Sequence, residues 1–271
     1  MRPILDDAPF DRALAPSPLG HSVLQSDLSR AIPNRELRLH FQPIVKLETD
    51  AIVGYEALVR WQHPRRGLLL PSDFLAVAQR SGIGADIDSW VLTEACRQAG
   101  YWAQTGHVTT ICVNVVPERF GARGFADEVE NTLATTGLDP GRLVLELTEG
   151  SILVDVGAAR DAVNALNTMG VRVALDDYGT GYSSLAAIAS LPVDELKVDI
   201  SFVAGLGSNR ARTAIVRAIV GLGAALEIPV VAEGVETAAQ AFALRALGCE
   251  FGQGFHFGRP APGPALVTRT P

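Results

Sequence analysis

The chain reads as an α/β protein, a TIM-like (β/α)8 barrel in which the first strand runs against the others. Three observations lead to this class. From about residue 28 onward, apolar runs of strand length alternate with longer segments of helical period, the layout of repeated βα units. A length of 271 residues suits a single barrel built around one closed sheet. Only residues 48–51 separate the first two strand segments, too few for a helical crossover, so these two strands should be antiparallel.

Taken in order, residues 1 to about 28 carry Pro3, Pro9, Pro16 and Pro18 without a sustained period and read as an arm or linker, here bounded as residues 1–27. Strand segments follow at 39–47, 52–61, 110–115, 143–147, 172–175, 195–198 and 229–232, with a short last one at 251–255. Helical segments lie at 72–81, 87–104, 158–169, 213–226 and 237–247. Gly170 after Met169 and Gly248 after Leu247 stand where a left-handed residue commonly ends a helix. Thr237 is placed to cap the last long helix, with Gln240 three residues on as in a capping box. Residues 263–271 form a C-terminal tail.

Composition narrows the partners. The hydrophobic fraction of 48% and charged fraction of 20% belong to a chain with a sizeable core. A formal charge of −7 with scattered basic residues gives no electrostatic footprint for long DNA or RNA. The longest uncharged apolar stretch of the last third, residues 218–226, is far below the ~18 residues of a membrane span. Residues 1–15 carry acids where a signal peptide has an apolar core, so a cytoplasmic location is expected. Cys96, Cys112 and Cys249 show no C-x-x-C pairing and read as core thiols. The five histidines show neither H-x-H nor H-E-x-x-H spacing, so any metal must be held mainly by oxygen.

The chemistry lies in the polar residues of the strands. Glu56, Asn114, Glu146, Asp176, Lys197, Glu233 and Gln253 each stand in or just after an apolar strand segment. In a closed barrel the ends of the parallel strands converge on one face, so residues distant in sequence meet around one pocket. If Glu56, Glu146, Asp176, Asp177 and Glu233 share it, neighbours ~4 Å apart repel by ~4 kcal/mol at an effective dielectric near 20. Five carboxylates and one lysine are left near neutral by two divalent cations. Carboxylates and an asparagine amide oxygen are hard ligands suited to Mg2+ or Mn2+.

The ordered series Gln42-Pro43-Ile44, Glu56-Ala57-Leu58 with Arg60, Val113-Asn114, Glu146-Leu147-Thr148-Glu149, Asp176-Asp177-Tyr178-Gly179-Thr180-Gly181, Lys197-Val198-Asp199, Glu233-Gly234-Val235-Glu236 and Gln253-Gly254 resembles the EAL-domain family of cyclic di-GMP phosphodiesterases over about residues 28–262. The resemblance implies a barrel with a reversed first strand that opens 3′,5′-cyclic di-GMP to linear pGpG. For the metals it implies one ion held by Glu56, Asn114, Glu146 and Asp176 and a second held by Asp176, Asp177 and Glu233. It implies catalytic roles for Glu233, Lys197 and Asp177, with Glu233 either a general base or a metal ligand.

Substrate contacts carried over by the same resemblance are Gln42, Leu58, Arg60, Asp199, Glu236 and Gln253. Arg60 has the forked geometry that suits a phosphate. The loop 177–185 is implied to position Asp176 and Asp177 and to contribute to a homodimer interface, with Glu149 as its anchor. Val115-Val116, Tyr178 and Ile200-Ser201 depart from the common family pattern, and none of these changes removes a metal-binding oxygen.

Overall fold

The computed structural model describes residues 18–148, 156–179 and 191–263. The strands are β1 (Leu37–Lys46), β2 (Ala51–His63), β3 (Gly67–Leu69), β4 (Thr110–Asn114), β5 (Leu143–Thr148), β6 (Arg172–Tyr178), β7 (Glu195–Val198), β8 (Val230–Ala232), β9 (Phe251–Gln253) and β10 (Ala261–Pro262). The described helices are α1 (Pro18–Leu28), α2 (Pro71–Arg80), α3 (Gly84–Gln104), α4 (Pro117–Phe120), α5 (Phe125–Thr136), α6 (Val156–Thr168), α7 (Ile200–Val203), α8 (Arg210–Leu226) and α9 (Ala238–Ala246). None is long and apolar enough to cross a membrane.

Around the ring the order is β1, β2, β4, β5, β6, β7, β8, β9 and back to β1. β1 runs antiparallel to both neighbours, β2 and β9, and the remaining ring contacts are parallel. The reversed first strand expected from the short connector is therefore present. The segments at 195–198 and 110–115 match β7 and β4 to within a residue. β3 and β10 are short additions, β3 paired to the last residues of β2 and β10 to His40 and Phe41 of β1, and neither has an apolar run long enough to register as a strand in sequence.

Alternation along the strands separates two cores. Residues facing outward pack against the helices in one large cluster. There Trp102 of α3 meets Phe41 of β1 and Tyr55 of β2, with ring centroids 4.9 and 5.1 Å apart. Residues facing inward form a small cluster of their own: Ile44, Cys112, Val144, Ala174 and Val231. This inner set plugs the barrel, as expected of a closed sheet filled by layers of side chains. Two residues further along each parallel strand, the same inward face reaches the C-terminal mouth, where the side chains are Asn114, Glu146, Asp176 and Glu233.

Helix ends follow local chemistry. Thr237 caps α9 through Oγ1, which accepts from Gln240 N–H at 3.2 Å, while Gln240 Oε1 accepts from Thr237 N–H at 2.9 Å. Asn209 Oδ1 accepts from the N–H groups of Ala211 and Arg212, so α8 begins three residues earlier than its apolar period indicated.

The arm expected over residues 1–27 is helical in its last part. Residues 18–28 form α1, with Leu24 and Leu28 buried in the main core. Asp27 fastens this helix to the barrel by accepting from Arg30 at 2.9 Å and Arg65 at 2.6 Å, with the His63 ring 3.3 Å away. Helix α5 also escaped the apolar pattern, because its buried set of Phe125, Val129, Thr132 and Leu133 includes a polar residue. The last strand segment stops at Gln253 instead of 255.

Candidate active site

The later ring strands deliver their side chains by the same device, an inward position at or just past the C-terminal end, whereas β2 presents Glu56 from its middle. β1, being reversed, contributes from its middle: Gln42 lies opposite Glu56 of β2. At the centre stands Lys197 of β7, fully buried. Its Nζ lies 2.7 Å from Glu146 Oε1, 2.5 Å from Glu233 Oε1 and 3.6 Å from Asp176 Oδ1. Burial alone would strip the proton from such a lysine. The carboxylates of Glu146, Glu233, Glu56 and Asp176 outweigh it and hold the ammonium well above the ordinary lysine value.

The carboxylates themselves are overcrowded. Burial raises Glu146 well above the usual carboxylate range, against the pull of Lys197 and with further upward pressure from Glu56, Asp176 and Glu233. Glu233 is raised to about 8 by burial, opposed by Lys197 and reinforced by Asp176 and Glu56. Asp177 is pushed up to about 6 by burial and by Asp176 and Asp199. One lysine does not neutralise this set.

Two residues sit in special backbone positions. Asp177 has φ 54°, unusual for a residue with a side chain. Its N–H donates to Asp176 Oδ1 at 2.9 Å, which orients the Asp176 carboxylate. Gly234 has φ 65°, and a Cβ there would stand 2.0 Å from Ile200 Cγ1, so only glycine permits the turn that follows Glu233.

The structure brings most of the expected site together. Asp176, Asp177 and Glu233 each offer a carboxylate oxygen within 4.8 Å of the others, a spacing fit for a cation. The second expected set is adjacent but differently occupied. Glu56 Oε1 accepts from Asn114 Nδ2 at 2.7 Å, and Glu56 Oε2 accepts from Gln253 Nε2 at 2.5 Å. Gln253 Nε2 also reaches Gln42 Oε1 at 3.2 Å. With the Asn114 nitrogen committed to Glu56, its Oδ1 remains as a ligand atom. Apart from the Lys197 ammonium, no donor among the described residues reaches either buried oxygen of Glu146. Hard oxygen donors, excess negative charge and an undersatisfied buried carboxylate together fit divalent cations.

Above this floor opens a cavity of about 280 Å³, lined in part by Gln42, Leu58, Glu236 and Gln253. Arg60 and Asp199 are not among its lining. Arg60 is buried on β2 and donates Nη1–H to Val59 O at 2.8 Å. Asp199 caps α7 by accepting from Ser201 N–H at 3.0 Å, and it acts electrostatically on Asp177. Glu149 and positions 180–185 of the expected loop lie outside the described residues.

Ile200, Gly234 and Gly254, which stand in or beside the motifs without an assigned role, and Phe255, expected only as the end of a strand, also line the cavity. Phe255 is 47% exposed there, with the Arg259 guanidinium 4.1 Å from its ring centre. Its position directly after Gln253-Gly254 was the available signal.

A (β/α)8 barrel with a reversed first strand and a carboxylate-lysine cluster at its C-terminal mouth defines a class of oxygen-ligated, metal-competent barrel proteins. Residues 25–260 match the EAL domain family, and the chain belongs to it. It is 44% identical over 247 residues to an uncharacterized signaling protein of Caulobacter vibrioides, covering 91% of this chain and 30% of that protein. It is also 44% identical over 245 residues to the bifunctional diguanylate cyclase/cyclic di-GMP phosphodiesterase MucR of Pseudomonas aeruginosa, covering 90% of this chain and 36% of MucR. The chain thus spans about a third of the length of these relatives. A solved structure of the PaMucR phosphodiesterase in complex with c-di-GMP superposes with a TM-score of 0.87 at 44% identity, over 90% of this chain and 99% of that one.

Proposed function

We propose that the chain is a metal-dependent phosphodiesterase that hydrolyses 3′,5′-cyclic di-GMP to linear pGpG, with two divalent cations, Mg2+ or Mn2+, in its site. The observation that carries this reading is the convergence of Asp176, Asp177 and Glu233 around a buried Lys197 at the floor of the cavity. Family membership and the c-di-GMP-bound relative support it.

Asp176, Asp177 and Glu233 would hold one cation, and Glu56, Asn114, Glu146 and Asp176 the other, with Asp176 common to both. When bound, such ions supply Lewis acidity toward a phosphoryl oxygen and bring the pKa of a water toward neutrality. Lys197, placed between Glu146 and Glu233, presents an ammonium to charge developing on phosphate oxygens and helps orient the attacking water. Glu233, at the edge of this set and beside Lys197, is the carboxylate assigned to take the proton of that water.

Gln253 holds Glu56 in place while Gln42 braces Gln253. Leu58 and Phe255 offer an apolar and an aromatic surface on which a purine can rest. Arg60 is assigned to a substrate phosphate, and Glu236 to the rim. Asp199 steadies α7 and Asp177. Glu149 is assigned to anchor the loop after Asp177, which contributes to a homodimer interface. The protein is assigned to the cytoplasm.

Incubation of the purified chain with cyclic di-GMP and Mg2+ or Mn2+, followed by chromatography, tests the proposal. Expected is pGpG with metal and none with EDTA. Nucleotide binding without product under every metal condition would make the chain a receptor and overturn it.

A further inference from the structure

The opposite, N-terminal mouth of the barrel has a chamber of about 290 Å³. Glu195 and Arg172, the first residues of β7 and β6, both line it. Each brings a buried polar atom without a hydrogen-bond partner, Glu195 Oε1 and Arg172 Nε. Glu195 is only 8% exposed. No ion pair within 4.0 Å joins the two among the described residues, although they carry opposite charge. Ile44, Val53 and Val231 supply apolar wall, and Glu250 is exposed at the rim.

We propose that this chamber is a second small-molecule site, which takes a zwitterion of amino-acid type with its ammonium on Glu195 and its carboxylate on Arg172. The charge pattern selects the class. A simple anion meets two carboxylates, Glu195 and Glu250, and a simple cation leaves the Arg172 guanidinium without a partner. A molecule bearing both charges pairs with both side chains and leaves its apolar part against Val53 and Val231. Burial raises the Glu195 carboxyl above its ordinary value, against the pull of Lys197 and Arg172. An ammonium seated on the carboxylate relieves that desolvation. The plug of Cys112, Val144 and Ala174 separates this chamber from the carboxylate cluster at the other mouth.

Calorimetric titration of the full chain with each common L-amino acid tests the assignment without any use of nucleotide or metal. Expected is saturable binding of at least one, weakened at least about tenfold in Glu195→Gln and in Val53→Phe, which fills the chamber and leaves its charges intact. Thermal melts establish that each variant is folded before its affinity is compared, and Glu195→Asp serves as the second carboxylate variant should Glu195→Gln not fold. Absence of binding by every amino acid, undiminished affinity in the folded variants, or equal affinity for the matching amine or carboxylic acid alone would overturn the proposal.

Discussion

Two layers of the same strands have opposite characters. At the C-terminal mouth stand Asn114, Glu146, Asp176 and Glu233, crowded and undercompensated. Two residues earlier on each strand stand Cys112, Val144, Ala174 and Val231, apolar and buried. A period of two lets one strand serve both layers without either intruding on the other. The upper layer is assembled against electrostatic cost, and the lower layer supplies the packing that holds it in place. Changes in the upper layer should therefore fall on activity, and changes in the lower layer on stability.

The largest effect is expected from Asp176→Asn. Replacing the carboxylate shared by both proposed cation sets should lower turnover by at least about a thousandfold, measured as pGpG release. The melting temperature of the metal-free protein should hold or rise, since the change removes like charge from the cluster. Lys197→Met joins the two layers. It leaves Glu146 and Glu233 without their ammonium and should cost ~3–5 kcal/mol above about pH 8 by denaturant titration, as expected when a buried ion pair loses one partner. The cost should shrink in acid, where both carboxyls take up protons.

A change confined to the plug should behave in the opposite way. Val231→Ala should cost ~1–3 kcal/mol through lost burial and a residual cavity, while turnover per folded molecule stays near that of the parent.

A further effect is one of pH. Glu233 and Asp177 have folded values of about 8 and about 6, both above the ordinary carboxylate values of 4.5 and 3.8. A raised folded pKa means that the native state holds more protons than the unfolded chain, so the contribution is full below the unfolded value and is lost as pH rises through the folded one. Melts of metal-free protein should therefore show these groups lowering stability from about pH 4 to pH 8. Saturating Mg2+ should flatten that slope.

Much of this division was legible in sequence. Strands such as 195–198 are bounded by turn residues, and one polar residue per strand stood out against apolar neighbours. The reversed β1 followed from a connector too short to hold a helix. Other features depend on tertiary contacts and left little local trace. α1 is held by burial of Leu24 and Leu28 and by the Asp27 contacts to Arg65 and His63, partners more than thirty residues away. The amide donors on Glu56 come from Asn114 and Gln253, which meet only when the ring closes. Arg60 and Asp199 belong to the same motifs as the residues that line the cavity, without being among its lining, because a motif records neighbours in sequence and not which side chains face one pocket. Glu195 was hidden among the apolar residues of β7, one position from Leu196 and two from Lys197.

Two divalent cations sharing Asp176 is the occupancy proposed for the C-terminal mouth. Electron paramagnetic resonance counts the Mn2+ ions that the purified chain binds. Two ions per chain in the parent protein, with both weakened in Asp176→Asn, is the predicted result. A parent chain that takes up no Mn2+, or an Asp176→Asn variant that binds both ions as tightly as the parent, would contradict it.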